Sequence, residues 1–568
     1  MPGDPASAKM AVKDHSPAER LLPLLPPLAV FLGAFTLRFL YIHQFKGDPF
    51  LDCLFLDPAY YHNQAMRIAG GEILGGSEVF EMSPLYSYFL AFFYKYITTD
   101  LFTIRLVQIL IGSLSCVLIY FIARRVFGGT VPALVAGLAA AAYGPFILYD
   151  GVIMKTSLTV FFVLLMTLSL MRSEVPGAVF PPLLAGLFLG LAALVRENIV
   201  LLVPIVPLWF MGFGLESKGT RILKGVIFVL GAVIIILPIT LRNFYVGGEP
   251  VLITSGGGEV FYIGNNPEAD GTYRVPSYVT PTPASEHEDF RRKARELTGR
   301  ELTRGESSRY WFLRGFEYII ENQIDYAVLE AKKLFLFWNF YEYPDNHNYY
   351  LHRTHSRVLG GPVLGFGIIA PLALLGLFLS FGQPRKFAVV YLVFFTYLVS
   401  FLMFFNYARF RIPAVPFMII FGVYALYWIA GRVRARSLVP VFLSISALAV
   451  FFMAVNTKVH GQDPYRFLFD TSYTNLGLCY EDAGDDDRAL DYMNGALEIN
   501  PRKVLALKAM GRIHLKQSRY GPAERAYMKI LETRPDYAPA HHGLTRVYRA
   551  TGEKEKWAES RRNYEKWR

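Results

Sequence analysis

Long apolar runs joined by short basic connections fill the chain up to about residue 455, where the pattern turns polar and periodic. A membrane-spanning helix takes about 20 apolar residues, with roughly 17–25 usual. That criterion predicts about eleven spans, at 21–42, 104–123, 131–148, 157–171, 180–195, 199–213, 222–241, 363–381, 388–405, 412–430 and 438–455. The fifth and sixth are short and meet at Arg196-Glu197-Asn198, so they read as a hairpin whose tip does not clear the membrane. The stretches 85–96 and 329–340 are too short or too aromatic to span and read as interfacial helices.

Basic residues give the spans an orientation. Arg20, Arg124-Arg125, Arg172, the group Lys218, Arg221 and Lys224, Arg385-Lys386, and the group Arg432, Arg434 and Arg436 all fall on one side if the spans alternate. The excess of Lys and Arg on cytoplasmic connections predicts a cytoplasmic N-terminal tail (1–20) and a multi-pass domain (21–460) in the cytoplasmic, inner membrane. Two large loops, 43–103 and 242–362, then face the exterior, as does everything beyond the last span. The first span has no small-residue cleavage site and reads as an anchor, not a signal peptide.

In the polar C-terminal part, 466–568, residues recur with a period of about 34. Gly477 and Gly511, Ala489 and Ala523, and Pro501 and Pro535 stand in register, with Tyr480, His514 and Tyr548 at one shared position. Small residues where helices cross, and a proline closing each unit, are what stacked helix pairs require. This part resembles tetratricopeptide repeats: two good copies, then a third in which Thr545 and Trp557 take small-residue positions. The predicted fold class is an all-α polytopic membrane protein with a C-terminal α-solenoid on the outer side, suited to docking a protein partner.

Composition agrees. The chain is 53% hydrophobic and 18% charged, wrong for an ordinary soluble enzyme. Its net charge of +11 lies largely in the clusters that orient the spans, so nucleic acid is not the expected partner. Cys53, Cys116 and Cys479 are far apart and suggest neither a disulfide framework nor a metal site.

Chemistry concentrates on the outer face. Asp57, in Leu56-Asp57-Pro58-Ala59-Tyr60-Tyr61, is either a helix-start residue or a reactive carboxylate at the membrane surface. Glu81, in Phe80-Glu81-Met82-Ser83-Pro84, and Asp150, in Leu148-Tyr149-Asp150-Gly151, are open to the same two readings. Arg38, Arg242, Arg409 and Arg411 sit at outer span ends, where the charge rule does not place them, and Arg196 sits in the hairpin break. A phosphate at headgroup depth is one reason for a guanidinium there, since its planar fork matches phosphate oxygens. Carboxylates and arginines above a bilayer suit glycosyl transfer from a lipid-linked sugar phosphate.

The motif Leu56-Asp57-Pro58-Ala59-Tyr60-Tyr61, with Ala65 and Gly70-Gly71, resembles the first external loop of GT-C glycosyltransferases. Phe80-Glu81-Met82-Ser83-Pro84 and Leu194-Val195-Arg196-Glu197 are similar to segments of the lipid A aminoarabinose transferases; the protein O-mannosyltransferases are the other near group. The resemblance implies a GT-C fold and an inverting transfer from a polyprenyl- or dolichyl-phosphate sugar to a protein or glycolipid. It implies Asp57 as catalytic base, Asp150 and Glu81 as site carboxylates, and Arg196 on the donor phosphate, with Arg242 in a weaker similar role. Met82 stands where the family has a lysine, leaving Arg38 or Arg409 as candidate replacements. No cofactor is expected, although Asp57, Glu81 and Asp150 could in principle hold a divalent cation. Two alternatives stay open: an oligosaccharyltransferase or O-antigen ligase using a pyrophosphate-linked glycan, and a transporter or scaffold that docks partners through the repeats.

Overall fold

The computed structural model describes residues 22–213, 216–279, 285–459 and 469–567. The tail assigned to the cytoplasm, 1–20, lies outside them. The described residues are helical, joined by loops and two isolated bridges.

Each of the eleven predicted spans coincides with an apolar helix or helix pair. Among the described residues six helices are long and apolar enough to cross a bilayer: Leu25–His43, Leu101–Phe127, Thr156–Ser173, Lys218–Gly247, Ala408–Arg434 and Leu438–Val455. Five shorter ones, Thr130–Ala141, Phe180–Val195, Glu197–Gly212, Phe366–Ser380 and Ala388–Leu402, complete the set. Without a hydrophobic force between helices in lipid, close backbone packing must hold them together. Gly186 and Gly231 supply it where Phe180–Val195 crosses Lys218–Gly247: a Cβ on Gly186 would lie 2.0 Å from the Phe228 carbonyl oxygen, and one on Gly231 2.6 Å from that of Leu183.

The first large loop folds into the helices Pro49–Asp52, Asp57–Ala69 and Leu85–Tyr96, and the second into a series from Gly257–Gly264 to Arg357–Gly360. Beyond the last span, Phe469–Asp482 and Asp486–Ile499, Val504–Lys516 and Tyr520–Leu531, and Ala538–Thr551 and Lys554–Trp567 form three antiparallel pairs. The first pair packs on the membrane domain. Tyr480 donates to Asp48 (2.7 Å), His355 Nε2 meets the Tyr492 hydroxyl (2.9 Å), and Phe469 and Leu476 join the main apolar core.

One expectation fails here. Cys53 and Cys479 form a disulfide across 426 residues of sequence, joining the first loop to the first repeat. Spacing cannot signal such a bond, because only the folded chain brings the two together.

Candidate active site

The candidate site is built where span ends meet the two loops. The chain enters Asp57–Ala69 through Leu56, whose φ of 53° and ψ of −126° are rare for a residue with a side chain. That turn, followed by Pro58 in the first helical turn, aims the Asp57 carboxylate inward instead of capping the helix. It enters a cavity of about 610 Å³ lined by both loops, the hairpin break, Lys155 at the start of Thr156–Ser173, and the first repeat.

Asp57 is 8% exposed and pairs with Arg409 Nη2 at 2.7 Å. The same guanidinium binds Asp345 through Nε, so it bridges two carboxylates from different loops. Burial pushes the Asp57 carboxyl up, but Arg409, with help from Lys155 and Asn346, outweighs it and holds Asp57 below the ordinary carboxylate value. Asp345 goes the other way: burial exceeds the pull of Arg409, and the charge of Asp57 adds to the rise. Arg409 therefore favours the ionised form of Asp57 more strongly than that of Asp345.

A cationic wall faces this pair. Lys155, just before Thr156–Ser173, donates to Ser83 Oγ (2.7 Å), which donates to Glu197 (2.6 Å). Arg196 follows Phe180–Val195 in extended conformation, 6% exposed, its guanidinium carbon 4.6 Å from the Phe410 ring centre. Its Nε and Nη2 are buried with no hydrogen-bond partner, and among the described residues no carboxylate pairs with it. A buried guanidinium left so is costly unless an anion meets it. The far end of the cavity is polar: Tyr273 donates to Glu286, and His287 pairs with Glu259. Burial alone would lower His287, but Glu259 overrides it and carries the imidazole up to about 9.

Asp57, Glu81, Arg196 and Arg409 are thus brought together, with Glu81 drawn to the rim by Arg304 (3.1 Å). The other predicted residues lie elsewhere, each for a visible reason. Asp150 pairs with Arg38 at 2.7 Å, and Arg38 is fully buried, also donating to the carbonyls of Ala34 and Ala141. Gly112 leaves room for that carboxylate, since a Cβ there would lie 2.1 Å from it. Arg242 donates to the carbonyls of Leu74, Gly76 and Glu78, and so shapes the first loop. Arg411 does the same for the second, through the carbonyls of Phe337, Asn339 and Tyr341, and pairs with the Glu342 carboxylate at 2.8 Å. Sequence reasoning passed over Lys155 and Asp345. Lys155 did carry a signal, as a lone cation at an outer span end; Asp345, in Tyr343-Pro344-Asp345-Asn346, reads as a turn residue.

The Arg38–Asp150 pair makes a prediction separable from catalysis. Asp150→Ala leaves the buried Arg38 without its charge partner and is expected to cost about 3–5 kcal/mol of stability. The check is a lower thermal midpoint in detergent with turnover per folded molecule retained; lost turnover at an unchanged midpoint would return Asp150 to the site.

The donor set offers a cation little. Among the described residues no group of three or more His, Cys, Asp or Glu could hold a metal ion, and Arg409 already occupies the space between Asp57 and Asp345.

Comparison with known proteins adds to the geometry. Residues 81–244 match the dolichyl-phosphate-mannose-protein mannosyltransferase family model, and 470–503 match a tetratricopeptide repeat. The first match spans Lys155 and Arg196 but starts after Asp57. It supports the glycosyltransferase resemblance read from the sequence, and the second supports the repeats. No curated protein sequence matches significantly. Two solved structures are similar. One is the oligosaccharyltransferase AglB from Archaeoglobus fulgidus with an inhibitory peptide and a dolichol-phosphate (13% identity, 89% of this chain and 60% of that one, TM-score 0.45). The other is an Archaeoglobus fulgidus oligosaccharyltransferase tethered to an acceptor peptide (12% identity, 84% and 59%, TM-score 0.44). The chain spans about three fifths of the length of either.

Proposed function

We propose that the protein is a membrane glycosyltransferase that moves a sugar from a polyprenyl- or dolichyl-phosphate to a protein or glycolipid hydroxyl outside the cytoplasm, with inversion. One observation carries this reading: a buried carboxylate that Arg409 holds toward its ionised form shares a cavity with a buried guanidinium, two of whose nitrogens, Nε and Nη2, have no hydrogen-bond partner.

In this reading the donor phosphate lies between Arg196 and Lys155 at headgroup depth, and the anomeric carbon points toward Asp57. The bond from that carbon to the phosphate oxygen breaks and its electron pair leaves with the phosphate. Arg196 and Lys155 stabilise the charge that develops. The acceptor oxygen bonds to the opposite face of the carbon while Asp57 takes its proton. Because the acceptor hydroxyl becomes acidic only as that bond forms, a carboxylate of low basicity suffices, and no cofactor is needed. Lys155 also supplies the positive charge that Met82 leaves missing from the motif. The disulfide supports placing the first loop and the repeats on the outer side, since such bonds persist in oxidising compartments.

The test offers purified protein in nanodiscs a radiolabelled sugar on polyprenyl monophosphate or on polyprenyl pyrophosphate, with extracted envelope proteins and glycolipids as acceptors. Transfer from the monophosphate is expected. Transfer from the pyrophosphate alone would make the protein an oligosaccharyl or ligase-type enzyme, and none from either would leave the scaffold reading.

A further inference from the structure

The repeats do more than hang beside the membrane domain. Thr471 and Ser472, in the first turn of Phe469–Asp482, line the reaction cavity. Cys479 lies about two turns further along that helix. Its partner Cys53 stands four residues before Asp57, with the unusual Leu56 turn between them. One covalent bond therefore fixes two parts of the site: the segment that aims the base and the wall formed by the first repeat. Tyr480 and Arg488 converge on Asp48 (2.7 and 3.5 Å), and the first repeat shares its core with the membrane domain. It is a fixed part of the site, not a mobile recruiting arm.

We propose that the Cys53–Cys479 disulfide is a positioning strap for Asp57, and that the first repeat is a wall of the acceptor subsite at Thr471 and Ser472, so that transfer needs the oxidised chain. This rests on the glycosyltransferase reading for the nature of the reaction, and on the geometry for the strap itself. The acceptor hydroxyl must reach Asp57 past that wall, whereas the donor phosphate is held by Arg196 and Lys155 on the membrane side. Breaking the strap should therefore act on turnover and acceptor use and spare donor binding.

The full chain in nanodiscs supplies the test. Peptide mapping without reductant should find Cys53 joined to Cys479; free thiols at both would overturn the proposal. Reduction by a phosphine should speed amide exchange over residues 53–60, a readout that needs no substrate, and unchanged exchange would equally overturn it. With radiolabelled polyprenyl-phosphate mannose and envelope acceptors, reduction should lower kcat by about 10²-fold, the cost of roughly 1 Å of misplacement. The donor KM should stay the same, and reoxidation should restore the wild type but not a Cys53→Ser/Cys479→Ser chain. Ser472→Trp, with the strap intact, should raise the acceptor KM alone. A reduced chain as active as the oxidised one, with Ser472→Trp silent, would overturn both parts. If the oxidised wild type transfers nothing, the glycosyltransferase reading fails, while the mapping and exchange arms still decide the strap.

Discussion

Asp57→Asn is expected to lower sugar transfer by a factor of about 10²–10⁴, the range contributed by a positioned general base. The substitution preserves shape but removes the only function asked of the group, which is to take a proton. It should not unfold the protein: Arg409 keeps Asp345 as an anionic partner, so no bare cation is left in the cavity. Expression, detergent elution and donor binding should match the wild type. Because Arg409 holds Asp57 below the ordinary carboxylate value, the base is already ionised at neutral pH. Wild-type kcat/KM should accordingly be level between about pH 5 and 7, falling only below the usual carboxylate range near 4. Glu81→Gln is the control, with a smaller loss, since Arg304 draws that carboxylate to the rim. Near-normal turnover in the Asp57 variant would move the base elsewhere, Glu81 first.

Why Asp57 could be found from sequence, and Asp345 could not, says what kind of information a pattern holds. The spans were legible because lipid demands long apolar helices, and the repeats because stacking demands a fixed period. A carboxylate in a recognisable loop motif is legible for a similar reason. The sequence reads the arginines at span ends as partners of a phosphate, and a charge rule alone cannot tell a phosphate from another acceptor. Arg196 and Arg409 face the cavity, whereas Arg242 is satisfied by backbone carbonyls of the loop it holds, Arg411 by carbonyls together with Glu342, and Arg38 by Asp150. Carbonyl partners leave no mark in side-chain sequence. Asp345 and Cys479 share one obstacle: each is brought to the Asp57 segment by tertiary folding from several hundred residues away.

Arg196→Ala carries the second large effect, and its sign on stability differs from its sign on function. Removing one group that stabilises a developing anion costs about 10²–10³ in kcat, and a weaker donor KM should accompany it because the ground-state phosphate loses the same contact. Arg196→Lys should recover only part, since an ammonium cannot present the parallel N–H pair of a guanidinium. Stability should move the other way. No carboxylate among the described residues neutralises Arg196, and two of its nitrogens are buried without partners. The folded protein therefore carries a desolvated charge that the ring of Phe410 offsets only in part. Alanine removes that cost, so the variant's thermal midpoint should equal or exceed the wild type's while turnover collapses. Saturating polyprenyl phosphate should raise the wild-type midpoint and leave the alanine variant's nearly unchanged, because ligand binding stabilises only a state that binds it. A lower midpoint for Arg196→Ala, or an equal rise with lipid, would mean that Arg196 holds the hairpin together and the donor phosphate binds elsewhere.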